Sequence, residues 1–347
     1  TAGVFATFAV LVGILIAIKS TGQLVGWGFQ FQNPAIPGLL AVLMFLIGLN
    51  LLGMFEISGG WQNAGQSLTA DQGLGGSFFT GALAVIVATP CTAPFMAGAV
   101  GYAMAAPTLS MIAVFAALAL GFALPFLILC YVPKILQSLP KPGAWMKTFQ
   151  EVLAFPMFAT AIYLVWVVSQ QTVPGGEGRV LIAMLLAGLG IWLLRRKSSI
   201  FKILAIMAFI FAAVLPFTLK TDTGAVTLSA EKGYPKAAWS PETVAQLRAD
   251  GQAVFVDFTA AWCVTCKVNE RGALSDKDVA AAFVETNTAF LVADWTNRDD
   301  VIAAELRRYG RAGVPLYLYF PPLAPGQTHD PASAQVLPQV LLAPKVV

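Results

Sequence analysis

The sequence predicts a polytopic α-helical membrane domain followed by an α/β domain of ordinary soluble composition. Of the 347 residues, 57% are hydrophobic and only 11% are charged, whereas soluble proteins carry about 25% charged residues. The charges are unevenly distributed: residues 1–220 hold 10 Lys or Arg and 4 Asp or Glu, and residues 221–347 hold 11 and 14. A Cys-x-x-Cys motif, Cys263 to Cys266, lies in the charge-rich part. We found no glycine-rich phosphate loop, dinucleotide fingerprint, metal-ligand cluster or basic nucleic-acid patch, so we expect no nucleic-acid partner.

The domain boundaries follow the change in charge. We predict a transmembrane domain over 1–219, a linker over 220–239 beginning with "KTDTGAVTLSAEKG", and a second domain over 240–347. The chain starts with Thr inside an apolar run, without the basic region and cleavage site of a signal peptide. We therefore interpret it as part of a longer protein that lacks an N-terminal portion, and the abrupt end at "LLAPKVV" suggests a truncated C-terminus as well.

Seven apolar stretches are long enough to cross the hydrocarbon core, which takes roughly 20 helical residues. They are 2–18, 35–55, 78–104, 108–132, 149–168, 179–195 and 199–219. Short loops rich in Lys and Arg face the cytoplasm, and here such loops follow the fourth and sixth stretches. This orientation places everything after Lys220 outside the cytoplasm.

Residues 240–347 alternate helical and strand patterns, which is typical of an α/β domain. Ser240 and Pro241 suit the cap and first position of a helix. "AVFVDFTA", "AFLVADWT" and "LYLYF" read as strands. We expect further helices to start at Cys263 and after a cap at Ser275, and the helix in "DDVIAAELRRYG" to end at Gly310.

The Cys-x-x-Cys motif falls where a buried strand meets a helix, which is typical of a thioredoxin-like redox site. The free N–H groups and positive end of the helix would stabilise a Cys263 thiolate. Cys266, one turn later, would attack the mixed disulfide and release the product. A static disulfide or half of a zinc site are the alternatives, but the single histidine, His329, is isolated in a proline-rich loop.

This segment resembles a thioredoxin fold. Asp257 lies six residues before Cys263, where thioredoxins carry a buried acid that handles the proton of the second cysteine. The "GVP" sequence matches the thioredoxin turn whose proline is cis, which implies a cis bond at Pro315. Trp262 precedes the nucleophile, as it does in that family.

Glu270 lies one turn beyond Cys266. Its charge could raise the pKa of the thiols by like-charge repulsion. A solvated carboxylate on the helix surface is the alternative.

The stretch "VATPCTAPF" places a cysteine, Cys91, between Pro90 and Pro94 inside an apolar run. Proline interrupts a helix, and broken backbone at membrane depth is tolerated only inside protein or beside a water-filled cavity. Thr89 and Thr92 supply hydroxyls for the freed backbone groups. We therefore expect Cys91 to exchange disulfides from within the membrane, the alternative being a small buried apolar residue.

Together, "TPCTAP" and the Cys-x-x-Cys domain resemble the DsbD family of thiol:disulfide interchange proteins, with a cytochrome-c-biogenesis-type transmembrane region, and ScsB-like members in particular. The resemblance implies eight spans, which form two inverted three-helix repeats plus two further helices. It also implies one Pro-Cys cysteine in each repeat and a reversible disulfide between those two cysteines. It makes Cys91 the cysteine of the second repeat and places its partner on a span missing from this sequence. Cys130 is an alternative partner; otherwise it is a packing residue.

The resemblance implies a protein-disulfide reductase of the bacterial inner membrane, with its second domain in the periplasm and no bound cofactor. Electrons would pass from cytoplasmic thioredoxin through Cys91 to Cys263 and Cys266. They would then reach periplasmic disulfide proteins, cytochrome c maturation or the protein's own missing N-terminal domain. The rival hypothesis is a membrane anchor or solute transporter whose thioredoxin domain acts alone as an oxidant or isomerase.

Overall fold

The computed structural model describes the chain over nine stretches and divides it into two compact units. The described residues are 2–20, 31–55, 78, 108–131, 144–196, 198–221, 235–311, 313–323 and 330–341. One unit contains the apolar helices as far as Lys220, and the other contains the β-sheet that follows. Each unit is described below by itself.

The first unit is built from apolar helices. Its described helices are α1 (Ala2–Ser20), α2 (Ala35–Leu51), α3 (Thr108–Tyr131), α4 (Ala144–Gln171), α5 (Gly176–Leu194) and α6 (Ser199–Val214), the last continued by a 3₁₀ turn at Leu215–Thr218. These helices coincide with six of the seven predicted spans. The third, 78–104, lies outside the described residues apart from Phe78.

Three of these helices are long and apolar enough to cross a membrane. They are Trp145–Gln171, Gly176–Leu194 and Ser199–Thr218. The other three carry shorter apolar segments, Gly3–Ile14, Ala35–Leu51 and Leu109–Leu124. The total of seven spans stays a prediction, because much of the region between α2 and α3 lies outside the described residues.

Helix contacts in the first unit use small residues. Ala183, Ala187 and Ala212 are buried in one cluster between α5 and α6. A Cβ placed on Gly48 of α2 would lie only 2.7 Å from the ring of Phe158 in α4. Many large apolar side chains point outward, such as Leu185, which is 72% exposed, although others such as Met111 are buried. Small residues at close helix contacts are typical of helices that meet lipid.

The second unit is an α/β fold whose elements alternate along the chain. Its strands are β1 (Lys236–Ala238), β2 (Ala253–Thr259), β3 (Thr288–Asp294), β4 (Leu316–Phe320) and β5 (Gln335–Val336). Its helices are α7 (Pro241–Ala249), α8 (Val264–Arg271), α9 (Lys277–Glu285) and α10 (Asp300–Arg308), with short 3₁₀ turns at Ala273–Ser275 and Pro331–Ser333.

The five strands form one mixed sheet in the order β1-β3-β2-β4-β5. β2 runs parallel to β3 and antiparallel to β4, so β2 is central and all its residues are buried. Asp257 of β2 lies opposite Val292 on one side and Tyr317 on the other. The sheet therefore places Asp257 and Tyr317 side by side on the same face.

The predicted helix starts are confirmed at two of three positions. Ser240 caps α7 by accepting a hydrogen bond from the Thr243 amide at 3.0 Å, and α8 follows directly after Cys263. The cap predicted at Ser275 is wrong, because Ser275 ends a 3₁₀ turn and its hydroxyl donates to the Glu270 carbonyl. Asp276 caps α9 instead.

Residues 236–238, which the sequence assigns to the linker, form the edge strand β1. β1 pairs in parallel with β3 through Lys236 and Phe290. A three-residue strand carries too little periodicity to be recognised in a sequence, since its place is fixed by its neighbour.

Aromatic side chains fill the core between the sheet and α9. The Phe255 ring lies 5.2 Å from that of Phe290 and 5.3 Å from that of Phe283. Tyr317 and Leu274 belong to the same cluster. Asp257 lies on the same face of the sheet, so the redox site described below is next to this apolar cluster.

Candidate thiol–disulfide site

Two cysteines join at the end of the central strand. After β2 the chain turns through 260–262, and the Cys263 amide donates to the Ala260 carbonyl at 3.1 Å. Cys263 is the N-cap of α8, and its Sγ accepts a hydrogen bond from the Cys266 amide at 3.1 Å. Cys263 and Cys266 are joined by a disulfide.

The two sulfur-bearing residues differ in exposure. Cys263 is 7% exposed and Cys266 is fully buried. An incoming thiolate therefore reaches Cys263 first. The N–H groups at the start of α8 also favour negative charge on this sulfur rather than on the buried one.

Asp257 is a buried acid on the same face of the sheet. It is 2% exposed, and its Oδ1 has no hydrogen-bond partner among the described residues. Burial raises the pKa of Asp257 to about 8, and the negative charge of Glu270 adds to this effect. Asp257 is therefore protonated at neutral pH and can supply a proton close to the helix that carries the cysteines.

Glu270 is held by two neighbours. Its carboxylate accepts a hydrogen bond from the Thr259 hydroxyl at 2.7 Å and forms an ion pair with Lys267 at 2.8 Å. Its side chain is only 25% exposed, so it is not a freely solvated surface carboxylate. The negative charge of Glu270 raises the pKa of Asp257. The predicted effect of Glu270 on the pKa of the thiols stays a prediction.

The turn before β4 reaches the same end of the sheet. The peptide bond between Val314 and Pro315 is cis, as the thioredoxin resemblance implies. Leu316, the next residue, pairs with Phe258 of β2. Pro315 is thereby placed beside the end of β2 from which the cysteine turn departs.

Family models cover most of the chain. A model described as the cytochrome C biogenesis protein transmembrane domain matches residues 1–169, and a thioredoxin-like model matches residues 235–322. The thiol:disulfide interchange protein DsbD of Colwellia psychrerythraea is 28% identical over 345 residues, which cover 89% of this chain and 54% of the relative. The protein of the same name from Actinobacillus pleuropneumoniae is 26% identical over 336 residues, which cover 90% and 56%.

The chain is similar to the DsbD thiol:disulfide interchange proteins over about 90% of its length. It contains a transmembrane domain of the cytochrome c biogenesis type followed by a thioredoxin-like domain. It spans about half the length of the curated DsbD relatives that it matches. No solved structure matches it.

The predicted intramembrane site lies outside the described residues. This applies to Cys91, Pro90, Pro94, Thr89 and Thr92 alike. The backbone of Cys130 is helical within α3. The exchange roles of these residues therefore rest on the sequence alone.

Asn269 and Tyr317 were missed by the sequence analysis. The fully buried Tyr317 hydroxyl accepts a hydrogen bond from the Asn269 side chain at 3.0 Å. Asn269 also donates to the Gln339 carbonyl at 2.7 Å and accepts from the Leu341 amide at 3.2 Å. It thus ties the cysteine helix to β4 and to the C-terminal segment. The sequence does contain a signal for Asn269: it is a polar residue one turn after Cys266, on the buried face of α8.

Trp262 lies directly before the nucleophile and is 9% exposed. Its indole N–H donates to the Thr296 carbonyl at 3.2 Å, and its ring lies 6.2 Å from that of Trp295. The sequence singled out Trp262 but not the two residues after β3 that hold it.

The described residues contain no group of three or more His, Cys, Asp or Glu side chains arranged to hold a metal ion. The chemistry that this arrangement supports is sulfur exchange with proton transfer by a neighbouring acid. The expectation that no cofactor is needed stays a prediction.

Proposed function

We propose that this protein is a transmembrane thiol–disulfide reductase. The observation that carries the proposal is the Cys263–Cys266 disulfide at the start of α8, on a face of the sheet with a protonated Asp257. The same chain matches the DsbD-type transmembrane domain and carries Cys91 between two prolines. Electrons would enter from a cytoplasmic dithiol of the thioredoxin type, which reduces a membrane disulfide that includes Cys91.

The reduced membrane pair then passes its electrons to the thioredoxin-like domain. The Cys91 thiolate attacks the Cys263 sulfur, breaks its bond to Cys266 and forms a mixed disulfide. Cys266 leaves as a thiolate and takes the proton of the Asp257 carboxyl. The second membrane thiol attacks Cys91, which restores the membrane disulfide and frees Cys263. Two electrons are transferred, the two protons of the membrane thiols go to solvent, and the domain is left with a Cys266 thiol, a Cys263 thiolate and an ionised Asp257.

The domain then passes its two electrons to a substrate by the same kind of thiol–disulfide exchange. The Cys263 thiolate attacks a substrate disulfide, and the freed substrate thiolate takes up a proton. Asp257, now ionised, accepts the proton of Cys266, whose thiolate attacks Cys263 and releases the reduced substrate. The substrates that we propose are periplasmic disulfide proteins, including those that supply cytochrome c maturation.

The distribution of Lys and Arg supports a periplasmic position for the second domain, because the basic loops after the fourth and sixth apolar stretches favour the cytoplasm. A membrane-impermeant maleimide tests this orientation after the outer membrane is permeabilised and disulfides are reduced. We expect Cys263 to be labelled while the inner membrane is intact. Labelling only after the inner membrane is broken would place the domain in the cytoplasm.

The proposed electron path is tested by trapping the redox state of Cys263 and Cys266 in growing cells with acid and alkylation. Cys91→Ser should leave the pair oxidised, whereas the wild type keeps a reduced fraction. Cys130→Ser is the matched control and should resemble the wild type; an oxidised pair in this variant would make Cys130 the partner. If the pair stays reduced in Cys91→Ser, the membrane route fails. A wild-type pair that is oxidised with or without cytoplasmic thioredoxin would favour an independent oxidant.

A further inference from the structure

We infer that Thr296 is a positioning residue that sets the reactivity of Cys263. This inference rests on the proposed function only in taking Cys263 as the reacting sulfur. Thr296 follows β3 and is 5% exposed. Its hydrogen bonds reach the turn that precedes Cys263, and we infer that it acts through this turn.

Thr296 holds this turn by two hydrogen bonds. Its hydroxyl oxygen accepts from the Ala261 amide at 2.8 Å, and its carbonyl accepts from the Trp262 indole at 3.2 Å. One bond fixes the backbone two residues before Cys263, and the other fixes the side chain directly before it. The neighbouring Trp295 packs against the Trp262 ring. Residues that directly follow β3 therefore hold both Ala261 and Trp262 in place.

Asp294 orients the Thr296 hydroxyl. Its Oδ1 accepts hydrogen bonds from both the amide, at 2.8 Å, and the hydroxyl of Thr296. Because the hydroxyl proton is directed to this carboxylate, the hydroxyl oxygen is left to accept from Ala261. A hydrogen bond to an ionised carboxylate is also stronger than one between neutral groups.

The position of the turn matters because Cys263 is a helix cap. Its Sγ accepts from the Cys266 amide at 3.1 Å, and a thiolate gains stability from such groups only while it stays aligned with them. Releasing the Ala261 amide lets the turn shift away from β3. The thiolate fraction of Cys263 would then fall, and its reactions with electrophiles would slow.

The experiment compares Thr296→Val with Thr296→Ser in the full chain purified in detergent. Valine keeps the shape and removes the hydroxyl, whereas serine keeps the hydroxyl. After complete reduction, the rate of Cys263 alkylation by iodoacetamide at pH 7 is read by peptide mass spectrometry. We expect Thr296→Val to react about fivefold to tenfold more slowly, within the range for loss of one buried hydrogen bond. Thr296→Ser should stay within about twofold of the wild type because that bond is retained.

Two controls keep this comparison interpretable. Thr286→Val removes an exposed hydroxyl that donates to the Ala282 carbonyl, and it should leave the Cys263 rate unchanged. If Thr296→Val does not fold, as judged by amide exchange in β2, Asp294→Ala tests the same chain of contacts and should slow Cys263 less strongly.

The inference is overturned if Thr296→Val alkylates at the wild-type rate, or if Thr296→Ser is as slow as Thr296→Val. Where Thr296→Val does not fold, a wild-type rate in Asp294→Ala overturns it. A wild-type protein in which Cys266 reacts faster than Cys263 would contradict the proposed function instead. The two failures can be told apart. The inference is tested by comparing the Cys263 alkylation rate between variants, and the proposed function by comparing the rates of Cys263 and Cys266 in the wild type.

Discussion

The two units of this chain differ in the residues that they bury. In the helical unit close helix contacts involve small residues such as Ala183 and Gly48, and many large apolar side chains face outward. In the thioredoxin-like unit the buried residues include large aromatics, such as Phe255, and an acid, Asp257. The difference teaches that small residues let helices of the first unit approach closely, whereas in the second unit an aromatic core keeps a carboxyl group away from water.

The largest effect is expected from the cysteines themselves. Cys263→Ser should abolish disulfide reduction, because the sulfur that forms the mixed disulfide is lost and the remaining Cys266 is fully buried. Cys266→Ser should instead accumulate mixed disulfides, because the resolving thiol is lost. Non-reducing gels with peptide mass spectrometry measure both outcomes. Reductase activity retained by Cys263→Ser would contradict the assigned order of attack.

Asp257→Asn should raise the free energy of unfolding of the second unit at pH 7. The folded state holds this acid protonated up to a pKa of about 8, whereas the unfolded chain ionises it near pH 4. The folded state thus binds the extra proton between these values, and its stability falls as pH rises through this window. The gain for asparagine at pH 7 is at most about 4 kcal/mol.

Amide exchange of β2 in the full chain measures this stability at pH 5 and pH 7. The wild type should be more protected at pH 5, and Asp257→Asn should lose most of that difference. Equal pH dependence in the two proteins would show that Asp257 is not the buried protonated group.

The same substitution should slow the reduction of the Cys263–Cys266 disulfide by roughly 100-fold, a typical contribution of a general acid. Dithiothreitol serves as the reductant. The wild-type rate is divided by the rate of Asp257→Asn, because the thiolate fraction of dithiothreitol changes with pH in the same way for both proteins and cancels in this ratio. This ratio should fall as pH rises through about 8, because the acid form of Asp257 is lost. A ratio independent of pH would remove Asp257 from the proton transfer.

The helical unit should be sensitive to added size where two helices approach closely. Gly48→Ala would place a methyl group 2.7 Å from the Phe158 ring, and such overpacking costs about 1–3 kcal/mol. Gly121→Ala is the matched control, because no described atom lies within 4 Å of a Cβ there. Thermal unfolding of the full chain in detergent should show a lower midpoint for Gly48→Ala only. Equal midpoints would mean that α2 and α4 are not held by close approach.

The smallest effect is expected at Tyr317→Phe. It removes the hydroxyl that accepts from Asn269, while Asn269 keeps its bonds to Gln339 and Leu341. The loss should be about 1 kcal/mol, typical of one hydrogen bond. Amide exchange in α8 measures it, and a loss as large as that of the matched Asn269→Ala would contradict this sharing of bonds.

The sequence predicted what local patterns encode. The Cys-x-x-Cys motif, the helix start at Ser240 and the strand around Asp257 each depend on a few adjacent residues. The cis bond at Pro315 came from a family resemblance rather than from any pattern of spacing. The prediction of a cap at Ser275 was wrong because the sequence of a 3₁₀ turn resembles that of a helix start over three residues.

Other parts of the site depend on residues far apart in the chain. Asn269 meets Tyr317 across 48 positions, and Ala261 meets Thr296 across 35. Tyr317 and Thr296 are ordinary residues when read in the sequence alone, and Ala261 makes its contact through a backbone amide. The register of β2 with β3 and β4 brings Tyr317 and Thr296 toward the cysteine segment, and that register is a property of the whole sheet.

The most direct test of the electron path is the identity of the sulfur that joins Cys263. In a Cys266→Ser protein expressed in cells, the Cys263 thiolate should attack the oxidised membrane pair and remain bound to Cys91. Peptide mass spectrometry after acid trapping should then find a Cys91–Cys263 cross-link that disappears in Cys91→Ser. If Cys263 is found joined only to other proteins or to Cys130, electrons do not travel from residue 91 to this domain.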